Sequence, residues 1–145
     1  MSQGRILGVD YGERRVGLAL SDPLGLTAQP LAQVERRDDA GLAGAIGLLL
    51  EPHEVERVVV GVPLGLSGAD SAQTKRTRRF IALLRRSLPV PVQGWDERLS
   101  TAHADQALAE MQVKPSRRAE RRDMMAAQLI LQGYLDRRRA AASRP

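Results

Sequence analysis

The run Val58-Val59-Val60, inside the segment Glu56–Val62, limits the fold of this chain more than any other stretch. β-Branched residues are stiff at χ1 and fit a pleated strand. No polar residue alternates with them, so both faces of the strand must meet apolar partners. Such a run fits a buried parallel strand in a sheet covered on both sides. Pro63 ends it.

The other segments supply the neighbours of that strand. Arg5–Asp10 is a short apolar run that closes on a carboxylate. Tyr11–Arg15 reads as a tight turn, and residues 15–21 form a second apolar run. A third extended piece lies near Leu26–Val34, where Pro30 requires an edge or a bulge. Asp38–Leu50 reads as a helix weakened by Gly41, Gly44 and Gly47. Asp70 or Ser71 caps a helix reaching about Leu88, with Phe80, Ile81, Leu83 and Leu84 inward. Pro89–Trp95 is read as the last strand. Ser100 caps a helix through Met111, and Pro115–Arg118 reads as a basic loop. A final helix covers about 119–138, with Met125, Leu129, Leu131 and Tyr134 as candidates for its inner stripe. The expectation is an α/β fold: one domain over residues 1–138 with a mixed five-stranded sheet and helices on both faces. Residues 139–145 are expected to form a flexible basic tail.

With 145 residues the chain can bury a substantial core, and with no cysteine it has neither disulfides nor thiolate metal ligands. No apolar run approaches the roughly 18 residues of a membrane span. With a strand expected directly after Gly4, no secretory signal is expected. A cytoplasmic protein is expected. The net charge is +5, of which Lys114–Pro145 carries +6 and the remainder −1. That segment is a candidate nucleic-acid surface through Lys114, Arg117, Arg118, Arg121 and Arg122, with Arg15 as a further contact. Tyr11, Phe80, Trp95 and Tyr134 are the only aromatic residues. So small a set favours recognition of phosphates and shape over base stacking.

Four acids stand where carboxylates are out of place. Asp10 ends the first strand, Asp96 and Glu97 end the last, and Asp123 begins the final helix. Singly, each has an ordinary reading as a turn residue, a solvated ion pair or a helix N-terminal charge. Ligands bind at the carboxyl edge of open α/β sheets. If the last helix crosses that edge, carboxylates from distant segments converge. Their repulsion then calls for Mg²⁺ or Mn²⁺, which take carboxylate oxygens and can drive phosphodiester hydrolysis. His53 and His103 lack metal-ligand spacing, and Gly65–Gly68 lacks the Gly-Lys-Ser/Thr of a P-loop.

Several motifs together resemble the YqgF/RuvX family. They are Gly8-Val9-Asp10-Tyr11-Gly12, Arg15-Val16-Gly17-Leu18-Ala19, Ser21-Asp22, Val60-Gly61-Val62-Pro63-Leu64 with Gly68, and Asp96-Glu97-Arg98-Leu99-Ser100-Thr101. Asp123 with Ala126-Ala127, Ile130-Leu131 and Tyr134-Leu135 completes the set. The resemblance implies a ribonuclease H-like fold and a metal-dependent nuclease. The family is described both as processing the 5′ end of pre-16S rRNA, with ribosomal particles as partners, and as resolving Holliday junctions. It implies Asp10, Glu97 and Asp123 as the catalytic, metal-binding acids, with Asp96 ranked below Glu97. Gly12, Gly17, Gly61, Pro63, Arg98, Ser100 and Thr101 support the motifs. Sugar kinases and actin-like ATPases share the opening hairpin but need two such domains. A non-catalytic RNA-binding module is the remaining alternative.

Overall fold

The computed structural model describes residues 4–65, 70–97 and 115–142, with side chains in the last segment described from Met124 onward. Five strands form one sheet: β1 (Arg5–Asp10), β2 (Arg15–Ser21), β3 (Ala28–Glu35), β4 (Val55–Val62) and β5 (Val92–Asp96). Their spatial order is β3-β2-β1-β4-β5. The β1–β2 and β2–β3 pairs are antiparallel, while β1–β4 and β4–β5 are parallel. Three helices are described: α1 (Asp39–Leu50), α2 (Ala72–Ser87) and α3 (Pro115–Ala142).

The valine run is buried on both sides by two separate cores. Val58 and Val60 join Leu7, Val9, Leu18, Ile46, Phe80 and Leu84 on the α1/α2 face. Val59 points the other way, joining Ile6, Ala19, Ile130 and Leu131 beneath α3. This is the period-2 alternation of a strand, with apolar partners at every step.

Small residues let α3 lie close to the sheet. A Cβ placed on Gly8 would stand 2.8 Å from Leu131 Cβ and 3.1 Å from the Ala127 carbonyl oxygen. Further along, Leu135, Arg138 and Ala142 of α3 lie beside Leu24 and Gly25, in the turn that joins β2 to β3. That turn is at the end of the sheet where β1 begins. The helix therefore runs against β1, and its N-terminal half heads for the carboxyl ends of β1, β4 and β5. At the β2–β3 turn the Asp22 carboxylate accepts hydrogen bonds from the backbone N–H groups of Leu24, Leu26 and Thr27.

Some details differ from the sequence expectation. Pro30 lies on an edge strand and also at a register shift: Leu18 pairs with Ala32 and Ala19 with Pro30, leaving Leu31 as the extra residue. The last strand begins at Val92 rather than Pro89, because Pro89 and Pro91 have no N–H to give a ladder. Pro115–Arg118 is helix, not loop: Pro115 opens α3, a position whose N–H would have no intrahelical partner anyway. At its other end α3 continues to Ala142, past the expected start of the tail at 139. Its buried stripe is Ala126, Ala127, Ile130, Leu131, Tyr134 and Leu135, whereas Met125 and Leu129 are only half-buried. In α2, Phe80, Ile81 and Leu84 are buried as expected, while Leu83 is half-buried. The helix expected from Ser100 to Met111 lies outside the described residues.

Candidate active site at the carboxyl edge of the sheet

Asp10 is the last residue of β1 and faces Gly17 across the antiparallel pair. On its other side, Val9 is in register with Val60, so the next residue of β4, Gly61, is Asp10's neighbour. Gly61 is in turn level with Trp95 of β5, and Val62 with Asp96. Asp10 and the end of β5 are thus two strand spacings apart, about 10 Å. The Glu97 side chain shortens that gap. Its Oε2 lies 3.4 Å from the point where a Gly61 Cβ would be, so the carboxylate reaches back over β4.

The pleat sorts the two adjacent acids. Trp95 packs into the core beneath α3. A Cβ on Gly94 would meet Val62 and Ile81, on the α2 side. Asp96 follows Gly94 by two and takes the α2 face, while Glu97, just past the end of β5, sets its carboxylate at the Gly61 position that Ile130 of α3 also meets, on the α3 face. Asp10 also belongs to the α3 face, because it follows Gly8, which lies under Leu131. Asp10 and Glu97 consequently share one side of the edge. Both are half-buried.

The backbone of Asp123 is helical and lies one turn before Ala127. Ala127 and Leu131 straddle Gly8. From their midpoint to position 123 is about 9 Å along the helix, and from Gly8 to Asp10 is about 7 Å along the strand. The helix backbone at 123 therefore reaches the level of Asp10. The side chains of Arg117, Arg118, Arg121, Arg122 and Asp123 are outside the described ones, and so are Lys114, Arg98, Ser100 and Thr101 as residues. Among the described residues no group of three acids or histidines forms a metal cluster.

Motif residues beside the acids have steric or bonding tasks. A Cβ on Gly12 would stand 2.4 Å from the Arg15 carbonyl oxygen, so the hairpin closes only without a side chain there. The Pro63 carbonyl accepts a hydrogen bond from the Thr74 hydroxyl in the first turn of α2. Arg15 is exposed where β2 begins, at the same edge as Asp10.

The turn after Asp10 is held by a clamp that sequence reading missed. The Tyr11 hydroxyl donates to Asp39 Oδ1 at 2.6 Å, and Arg36 Nε donates to the same oxygen at 2.8 Å. The Arg36 guanidinium lies 5.6 Å from the Tyr11 ring centroid, and that ring stacks on Phe80 at 4.6 Å. Arg36 also donates to the Glu13 carbonyl at 2.8 Å, and Gln73 donates to the Tyr11 carbonyl at 3.4 Å. Burial, then the hydrogen bond to Asp39, pushes the Tyr11 phenol up to about 12. Asp39 lies 28 residues from Tyr11, and no local pattern announces the pairing.

Positive charge is also concentrated outside the C-terminal segment. Between Ala72 and Ser87, α2 carries Lys75, Arg76, Arg78, Arg79, Arg85 and Arg86 and no acid. Acids elsewhere in the first 113 residues hide this concentration in a segment total.

A family model described as "RuvX: Holliday junction resolvase" matches residues 4–137. The chain belongs to the RuvX family. A protein of Koribacter versatilis named "Putative pre-16S rRNA nuclease" is 44% identical over 135 residues, covering 93% of this chain and 88% of that protein. A protein of Syntrophus aciditrophicus with the same name is 46% identical over 132 residues, covering 91% and 88%. Among solved structures, RuvC of T. thermophilus in complex with a Holliday junction substrate has a TM-score of 0.56 and 13% identity, covering 94% of this chain and 96% of that one. The Fowlpox virus resolvase with its junction DNA has a TM-score of 0.53 and 12% identity, covering 92% and 97%. At such low identity the likeness is one of fold, and it gives this RuvX chain the ribonuclease H-like architecture of those resolvases.

Proposed function

We propose that the chain is a metal-dependent nuclease that hydrolyses phosphodiester bonds in RNA, acting at the 5′ end of pre-16S rRNA. The observation that carries this reading is the Glu97 carboxylate lying over Gly61, beside Asp10, on the face crossed by α3. Both carboxylates stand on one face of the carboxyl edge, one from each side of β4. Their oxygens are hard donors, which fits Mg²⁺ or Mn²⁺ and not a thiolate-seeking metal. In this reading Asp10 and Glu97 hold the ion and Asp123, about two turns into α3 rather than at its start, completes the set; Asp96 is left to the other face. The bound ion supplies an activated water and charge for the leaving oxygen. Gly61 keeps the space open, and the Tyr11 clamp fixes the backbone beside Asp10.

The curated relatives' name favours RNA, and the chain's few aromatics favour contact with backbone and shape. A ribosomal precursor particle would then supply the choice of cut site, and the reaction would take place in the cytoplasm. The family model's description supports a second reading, resolution of four-way DNA junctions. The test incubates the purified protein with pre-16S rRNA and with a four-way junction side by side, in Mn²⁺, Mg²⁺ or EDTA. Metal-dependent trimming of the precursor's 5′ end, with the junction uncut, is expected. Paired symmetric nicks in the junction and an untouched precursor would give the case to the resolvase reading. A non-catalytic RNA-binding module would cut neither.

A further inference from the structure

The structure points to a second nucleic-acid contact, and we propose that the exposed stripe Lys75–Arg79–Arg86 of α2 is a track for the RNA phosphate backbone. It lies on the side of the sheet opposite α3 and starts at the catalytic edge. Spacings of four and seven residues put the three cations on one side of the helix, about 17 Å from first to last. All three are exposed. The other cations of α2 are engaged: Arg76 pairs with Glu13 at 3.3 Å, Arg78 pairs with Asp70, and Arg85 donates to the Val92 carbonyl at 2.9 Å.

Helix stability does not account for the stripe. A cation is favoured at a helix C-terminus, which explains Arg86 alone. Lys75 stands near the helix N-terminus, where the macrodipole disfavours positive charge, and no acid in the first turn offsets it. Lys75 and Arg79 also repel each other at i,i+4. The sequence thus keeps an unfavourable arrangement on a solvent face, which is understandable if an anion covers it. The start of α2 ties the stripe to the site: Gln73 bonds the Tyr11 carbonyl, and Arg76 pairs with Glu13 in the turn after Asp10. A strand cut at Asp10 can continue from that turn along α2. Phosphates suit the stripe better than bases do, because all three residues are cationic and no aromatic side chain is interleaved.

This inference rests on the nuclease reading for its choice of RNA, yet its test is independent of cleavage. Binding of a labelled single-stranded RNA with the pre-16S 5′ leader sequence is measured in EDTA across a salt series. Changing Lys75, Arg79 and Arg86 together to Ala is expected to weaken binding. The slope of log affinity against log salt should fall by about 2, near 0.7 for each lost phosphate contact. Arg79→Lys with Arg86→Lys, which keeps the charge, should retain the wild-type slope. Urea unfolding of the alanine variant should be as cooperative as wild type, with an equal or higher midpoint. Unchanged affinity and slope in the alanine variant would overturn the proposal, as would a lysine variant that loses as much as the alanine one. A wild-type protein that binds with this slope but cuts nothing in Mn²⁺ would refute the nuclease reading and leave the track standing.

Discussion

Gly61 shows how one missing side chain can connect packing to chemistry. A Cβ at this position would stand 2.4 Å from Ile130 Cδ1 and 3.4 Å from Glu97 Oε2. Gly61→Ala should therefore force the Ile130 side chain to shift and put a methyl group in contact with the Glu97 carboxylate. Overpacking of this kind costs about 1–3 kcal/mol. The urea midpoint should fall accordingly, and cleavage with it. Adding Ile130→Val removes the Cδ1 atom and should recover much of the stability. Activity that stays low in the recovered double variant would trace the loss to Glu97; a Gly61→Ala protein with wild-type midpoint and rate would contradict this packing. The strand-end positions of Asp10 and Asp96 were legible in sequence, because a charge that closes an apolar run is conspicuous. The reason for Gly61 was not, since its neighbour Ile130 is 69 residues away.

At the scale of elements, the hairpin after Asp10 is fastened to α1 and α2 through Tyr11. The phenol is raised from 10.0 to about 12, so the native state holds its proton more tightly than the unfolded chain does. The linked stability is complete below about pH 10 and is lost as pH rises from 10 through 12. Wild type should lose stability across that window faster than Tyr11→Phe, which has no phenolic proton, when urea midpoints are compared from pH 8 to 12. Parallel curves would show that the clamp is not coupled to folding. Strand and helix positions were largely legible, because apolar runs and caps such as Asp38 and Ser71 are local signals. The phase of α3 was not. The sheet offers it Gly8, Ala19 and Gly61, and a surface of small residues accepts Ala126 and Ala127 in place of the bulkier Met125 and Leu129.

Across the whole molecule, the sheet order β3-β2-β1-β4-β5 puts the ends of β1 and β5 one strand apart at the same edge. The fold class followed from the valine run and the opening hairpin. The convergence of Asp10 and Glu97 depends on register and on the reach of one side chain, which no segment carries alone. In the proposed reading α3 brings Asp123 to that edge and α2 leads substrate away from it on the other face. The most direct test of the central claim compares cleavage of pre-16S rRNA by wild type and by Asp10→Asn in Mn²⁺. The substitution keeps the side chain's shape and removes a charged ligand. The rate should drop by at least about a hundredfold, the scale reached by losing even an outer-shell partner of a metal site. The variant should still unfold cooperatively in urea, so that the lost rate reports on the site and not on the fold. Cleavage at the wild-type rate by Asp10→Asn, or by wild type in EDTA, would contradict the account.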